Sequence, residues 1–229
     1  LEERIRLKES LARVGELTAG LAHEFRNGLA TIHGYARLLD LNDLPVSYRP
    51  YVQGLRDETQ ALGEVVTNFL GFARPTALTL ATVDLRAIVD RAAEDARPEC
   101  RSHGGTIEIH GMFPAVEGDE VLLRQAFGNL LRNAVDACAA AGLPPAVRVE
   151  STVEQAQGLV RIAVIDNGPG IPDADRDRIF QPFFTTKSQG TGLGLAIVQK
   201  IVVSHNGRMT VGAAPAGGAI LEVVLPVGG

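Results

Sequence analysis

The chain has 229 residues, 45% of them hydrophobic and 21% charged, and a formal net charge of -5 at pH 7. This composition excludes a disordered chain, and the acidic balance argues against a general nucleic-acid binder. No apolar run approaches the roughly 18 residues that cross a bilayer, so the sequence contains no membrane segment. The opening Leu1-Glu2-Glu3-Arg4 is charged and helix-like rather than a secretory leader, and without an initiator methionine the chain reads as part of a longer protein. Cys100 and Cys138 match neither a disulfide framework nor a zinc motif, which points to a reducing compartment, the cytoplasm by default.

From Leu7 to Leu39 apolar residues follow a heptad spacing. One seam is Leu11, Thr18, Phe25, Ile32 and Leu39; the other is Leu7, Val14, Leu21, Gly28 and Tyr35. His23 falls far from both seams and is expected to face solvent, with Glu24 beside it and Asn27 one helical turn on, on the same face. Asn42, Asp43 and Pro45 break this helix. A second heptad runs through Val52, Leu55, Thr59, Leu62, Val66, Phe69 and Ala73, so the two helices read as an antiparallel hairpin. One hairpin covers little of its own apolar surface. Pairing two of them into a four-helix bundle, hence a homodimer, answers that need; packing onto the rest of the same chain is the alternative.

Arg74-Pro75 ends the second helix, and residues 75–82 read as a linker. Helical and strand patterns then alternate. Leu85 to Arg97 is expected to be helical and Thr106 to Ile109 a strand, followed by a long helix from Asp119, its cap, to Ala140. Val147 to Val153 and Leu159 to Ile165 are rich in β-branched residues and read as strands. A glycine-rich loop covers Asn167 to Gly190, a helix runs from Leu193 to Ser204, and strands Arg208 to Gly212 and Ala219 to Leu225 close the chain around Gly217-Gly218. The class is α+β, with helices on one face of a sheet.

Four clusters in this half can carry chemistry. Asn129-Leu130-Leu131-Arg132-Asn133 sets two amide oxygens on one helical face, an arrangement for a divalent cation already carrying phosphates, or else two ordinary surface residues. Asp166-Asn167-Gly168-Pro169-Gly170 follows an apolar strand; it is either a hairpin turn or a buried carboxylate able to accept a hydrogen bond from a base. Phe180-Gln181-Pro182-Phe183-Phe184-Thr185-Thr186-Lys187 places three of the eight phenylalanines in a loop, which suits a lid. Gly190-Thr191-Gly192-Leu193-Gly194 opens a helix and can bring backbone N–H groups up to a phosphate. It is neither a dinucleotide fingerprint nor a P-loop, because the glycine spacing differs and no Gly-Lys-Ser/Thr follows.

With His23-Glu24-Phe25-Arg26-Asn27 ahead of them, these clusters resemble the core of a two-component sensor histidine kinase over essentially the whole chain. The first stretch is similar to the phosphoacceptor box, and the four clusters to the N box, first glycine box, F box and second glycine box, in family order. Thr185-Thr186-Lys187 and the Asn-Leu-Leu-Arg-Asn-Ala wording look most like the nitrogen-sensor subgroup. Gly28 departs from the pattern, since the family usually has proline there, which puts the local helix bend in doubt.

The resemblance implies a dimerisation and phosphotransfer hairpin at 1–74, a linker at 75–82, and a Bergerat-type α+β sandwich that binds ATP at 83–229. It implies that the ε nitrogen of His23 attacks the γ-phosphorus of ATP while Glu24 accepts a hydrogen bond from the δ N–H. An imidazole with an ordinary pKa of about 6.5 is largely neutral at cytosolic pH, so it needs no strong base. Asn27 is implied to orient water for dephosphorylating a regulator. The resemblance assigns Mg²⁺ contact to Asn133 and Asn129 and adenine recognition to Asp166. Gly168 and Gly170 allow backbone approach, Gly190, Gly192 and Gly194 border the phosphates, and Lys187 reaches the γ-phosphate. Arg132, Phe180 and Thr186 add nucleotide contacts, and Phe180, Phe183 and Phe184 hold the lid and dock on the bundle. The implied partner is the receiver domain of a response regulator. Two other readings compete: an ATP-hydrolysing conformational machine of the same nucleotide-binding superfamily, and a catalytically silent dimeric scaffold. Asn129 stands where hydrolytic relatives carry a glutamate, which disfavours the machine.

Overall fold

The computed structural model describes residues 27–73, 78–187, 191–215 and 217–227. The chain divides into two compact units, Leu1–Pro75 and Thr76–Gly229.

The first unit is a helical hairpin. Its described part begins with helix α1, residues 27–38, which includes Gly28, and continues after a turn into α2, Arg49–Ala73. Residue pairs 33–59 and 36–56 meet, so the helices run antiparallel. His33 Nδ1 lies 3.1 Å from the Thr59 hydroxyl. The Arg56 guanidinium donates to the carbonyls of Ala36 (3.0 Å) and Leu39 (2.7 Å), partners for acceptors that the end of α1 leaves without intrahelical donors. Ala36, Val52 and Thr59 are buried between the helices. Among the described residues only one flank of each heptad is covered in this way. Ile32, Tyr35, Leu39, Leu55 and Leu62, all seam positions, stay exposed.

The second unit is an α+β sandwich. A small antiparallel pair, β1 (Ala81–Asp84) with β3 (Ala115–Gly118), flanks a five-stranded sheet. The sheet contains β2 (Thr106–Gly111), β4 (Ala146–Glu154), β5 (Leu159–Ile165), β6 (Arg208–Ala213) and β7 (Ala219–Pro226), in the order β2-β4-β5-β7-β6. It is mixed: β2 pairs parallel to β4, and the other neighbours are antiparallel. Alternate residues of β4 and β5 are buried (Val147, Val149, Val160, Ile162 and Val164), which marks one face as the core. Helices α3 (Leu85–Ser102), α4 (Glu120–Ala140) and α5 (Gly194–Ser204) cover that face with Ile88, Phe127, Leu130, Leu131, Val198 and Val202.

Some boundaries differ from expectation. Strands β1 and β3 have four residues each, too few to show a period, and β1 takes in Ala81 and Thr82 at the end of the segment read as linker. Helix α3 runs past Pro98 to Ser102. A proline inside a helix removes one N–H donor and crowds a carbonyl, but the buried Ala96 and Cys100 on either side hold this turn to the core.

Candidate functional site

Helix α4 supplies one side of the site. Asp119 caps it by accepting from the N–H of Leu122, and Leu130, Leu131, Ala134, Val135 and Cys138 point into the core. The opposite stripe, half-buried, carries Asn129, Asn133 and Asp136, which helical geometry sets on one face. Asn129 Oδ1 accepts from Arg132 Nη2 at 2.6 Å, so the exposed Arg132 folds back along the helix.

The end of β5 supplies the second side. Asp166 is buried, and its Oδ1 accepts from the N–H groups of Gly168 (2.9 Å) and Ala219 (3.0 Å). Two backbone donors on one oxygen fix the carboxylate's orientation and leave Oδ2 to serve another donor. A Cβ on Gly168 would lie 3.1 Å from Asp166 Oδ1 and 3.4 Å from the Ala137 side chain, so the turn sits tightly on α4. Gly170 follows at positive φ against Gly218 of the β6–β7 turn. Asn167 anchors the turn from behind. Its Oδ1 accepts from Ala146 N (2.8 Å) and the Cys138 thiol (3.1 Å), and its Nδ2 donates to Pro144 O (3.1 Å). Burial pushes the Cys138 thiol above its ordinary pKa, which keeps it protonated as that donor.

The aromatic loop and the start of α5 complete the arrangement. Phe180 is half-buried, and Phe184 lies under the Arg178 guanidinium, 4.4 Å from ring centroid to Cζ. Phe183 has φ +67°, is 60% exposed, and donates its N–H to Gly192 O at 3.0 Å. Thr186 is exposed, and the next residue, Lys187, places Nζ 2.7 Å from Asp136 Oδ2. A Cβ on Gly194 would lie 3.6 Å from Asn133 Nδ2, so the N-terminus of α5 abuts the middle of α4. The N-cap residue of α5 is Leu193, whose side chain makes no capping bond, and a helix start of this kind directs its first-turn N–H groups toward an anion. Segments far apart in sequence therefore converge: Asn133 with Gly194, Lys187 with the stripe of α4, and the Asp166 turn with Ala137. His23, Glu24 and Gly190 lie outside the described residues, and Asn27 opens the described part of α1. Asp136, Asn167 and Gly218 have no role assigned by the motifs, although Asn167 stands inside the Asp166 cluster and Gly218 in the final turn. Asp136 had a signal, its place on the stripe of Asn129 and Asn133; the other two act through contacts that no local pattern encodes.

Known proteins share both units. Residues 118–229 match the family model for histidine kinase-, DNA gyrase B-, and HSP90-like ATPases, and residues 13–78 that for the His Kinase A (phospho-acceptor) domain. A nucleotide-binding fold joined to a phospho-acceptor hairpin defines the class. The signal transduction histidine-protein kinase AtoS of Escherichia coli strain K12 is 34% identical over 233 residues, covering 99% of this chain and 37% of AtoS. Full-length ShkA, solved in complex with AMPPNP, superposes with a TM-score of 0.79 at 33% identity, covering 93% of this chain and 46% of ShkA. The histidine kinase ThkA, solved with the response regulator protein TrrA, gives a TM-score of 0.70 at 26% identity, covering 99% of this chain and 66% of ThkA. The chain belongs to the sensor histidine kinase family. It spans about a third to a half of the length of the curated relatives it matches.

Proposed function

We propose that this chain is the catalytic core of a sensor kinase that phosphorylates His23 from ATP and passes the phosphoryl group to an aspartate on a response-regulator receiver domain. The observation that carries the reading is the convergence of Asn133, the start of α5 at Gly194, and Lys187 held on α4 by Asp136. Together they set backbone N–H donors, an amide and an ammonium beside the buried carboxylate of Asp166, a group of partners that suits the phosphates and base of a nucleotide.

The chain's own groups divide the work. Asp166 Oδ2 accepts from the adenine amino group, and the first-turn N–H groups of α5 take phosphate oxygens. Lys187 adds a cation at the phosphate end. Asn133 would offer its amide oxygen to a magnesium ion, and Asn129 would do so by sharing the oxygen that accepts from Arg132. Such an ion supplies charge neutralisation on the phosphates. The lone pair on the His23 ring nitrogen forms the N–P bond as the bond from γ-phosphorus to its bridging oxygen breaks, and ADP leaves with that electron pair. Glu24, accepting from the other ring N–H, stabilises the positive charge that develops on the imidazole. Asn129 has no basic oxygen with which to activate water, which favours transfer to histidine over hydrolysis.

The exposed seam residues Ile32, Tyr35, Leu39, Leu55 and Leu62 support a homodimer through residues 1–74, completed as a four-helix bundle. We place the ATP domain at 83–229, with β1 extending its edge back to Ala81, and this core in the cytoplasm, where ATP and receiver domains are found; no described helix is long and apolar enough to cross a membrane. Asn27 is the candidate for orienting water in regulator dephosphorylation. Asn27→Ala should lose that activity and keep autophosphorylation.

The deciding experiment incubates the chain with γ-labelled ATP and Mg²⁺. Acid-labile, base-stable label on the wild type that disappears in His23→Ala is expected. Equal labelling of His23→Ala overturns the assignment; hydrolysis without label points to a conformational ATPase, and neither product to a scaffold.

A further inference from the structure

The ion pair between Lys187 and Asp136 joins the aromatic loop to α4 across 51 positions of sequence, Nζ to Oδ2 at 2.7 Å. Asp136 continues the stripe of Asn129 and Asn133. It lies three residues beyond Asn133, about 4.5 Å further along the helix axis. Asn133 abuts Gly194 at the start of α5, and Asp136, within one helical turn of Asn133 on the same face of α4, holds the lysine ammonium.

The chemistry of the pair says what that arrangement does. A lysine side chain has large rotamer entropy, and binding a phosphate with a free lysine loses much of it. Lys187 is already confined. An ammonium has three N–H donors, and a single bond to Asp136 leaves others for phosphate oxygens. The side chains of Lys187 and Asp136 are 36% and 41% exposed, so the pair is weak enough to adjust when a polyanion arrives.

We propose that Asp136 is a positioning residue that holds Lys187 ready for the terminal phosphate and thereby sets a preference for a nucleoside triphosphate over the diphosphate. This rests on the reading of the recess as an ATP site. A diphosphate lacks the group that Lys187 is poised to meet, so the pair acts on the ratio of the two affinities rather than on nucleotide binding as a whole.

The test measures ATP and ADP dissociation constants with Mg²⁺ on the full chain by titration calorimetry, with thermal melts to confirm folding. Asp136→Ala should lower the ATP-over-ADP preference by about two- to fivefold, the range expected for a half-exposed pair. Lys187→Ala should lower it at least as much, the double variant no further, and Asp136→Glu should keep it. An unchanged ratio in Asp136→Ala, equal weakening of both nucleotides, or an additive double variant each overturns the proposal. If Asp136→Ala fails to fold, Asp136→Asn makes the same comparison at constant shape. A wild type that binds neither nucleotide overturns the ATP-site reading and this inference with it. A wild type that binds ATP and labels His23, with the ratio intact in Asp136→Ala, overturns the inference alone.

Discussion

His205 Nε2 accepts a hydrogen bond from the backbone N–H of Asp119 at 2.9 Å, while His205 Nδ1 donates to the carbonyl of Ile201 at 2.8 Å. The two bonds require the neutral ring with its proton on Nδ1, because an N–H can only donate and a carbonyl can only accept. The ring is buried. It ties the end of α5 to the residue that caps α4, and these two helices carry Gly194 and Asn133. Replacing His205 with alanine leaves the Asp119 N–H buried without an acceptor. His205→Ala is therefore expected to cost about 1–3 kcal/mol, read as a lower urea midpoint for unfolding of the second unit.

Asp119 makes that unit sensitive to acid. Burial alone raises its carboxyl pKa, but backbone N–H donors from Thr79, Leu122 and Val121 outweigh it and hold the group below its ordinary 3.8. The folded state thus binds the proton less readily than the unfolded chain. The stabilisation is fully present above the ordinary value and drains away as pH falls through it toward the lower folded value. Asp119→Asn keeps one acceptor oxygen but turns an NH₂ group toward one of these donors. The stability gap between wild type and variant should be constant from pH 7 to about 5 and narrow below about 4. Denaturant melts at successive pH values check this, and a gap that stays constant down to pH 3 would remove the carboxylate from the account.

The sequence was most readable where an element is regular and half-buried. Strand β5 has the bounds its β-branched run implies, and α4 starts at the residue that capping chemistry selects. It was least readable where distant contacts decide. Strand β1 exists because β3, more than thirty positions away, pairs with it. Helix α3 outlasts Pro98 because Cys100 is buried beyond it. The same divide runs through the candidate site. Motif spacing singles out Asn133, Asp166 and Gly194, but which atoms meet depends on tertiary packing: the grip of Asp136 on Lys187 and the brace of Asn167 behind the Asp166 turn.

Gly192 and Gly194 belong to one motif and make opposite demands. Gly192 has φ +65°, and a Cβ there would come within 2.4 Å of the Phe183 carbonyl carbon. At Gly194 a Cβ meets nothing closer than 3.6 Å, an ordinary contact. Gly192→Ala must move the backbone that accepts from Phe183 N, and the left-handed conformation alone costs about 1–2 kcal/mol for an L-residue. The expected result is a lower melting temperature and at least a tenfold loss of affinity for a fluorescent ATP analogue. Gly194→Ala should melt like the wild type. Equal behaviour of the two variants would show that the close approach at Gly192 is not what the site needs.

The heptads of the hairpin split into a flank that is covered and a flank that is not. Val52 and Thr59 are buried against α1, whereas Leu55 and Leu62, their heptad partners, are 52% and 41% exposed. Ile32 on α1 is likewise 49% exposed. A second hairpin seated on this flank would bury all three, at about 25 cal/mol for each Å² of apolar surface removed from water. Leu55→Lys with Leu62→Lys sets charges in that seam and leaves the buried Val52 and Thr59 in place. The expected outcome is a monomer by light scattering at micromolar concentration, with helical content retained. Arg37→Glu, an exposed change off both seams, should remain dimeric. Dissociation by both changes alike would mean that the seam is not what governs assembly, and a dimer that survives both lysines would place the interface elsewhere on the chain.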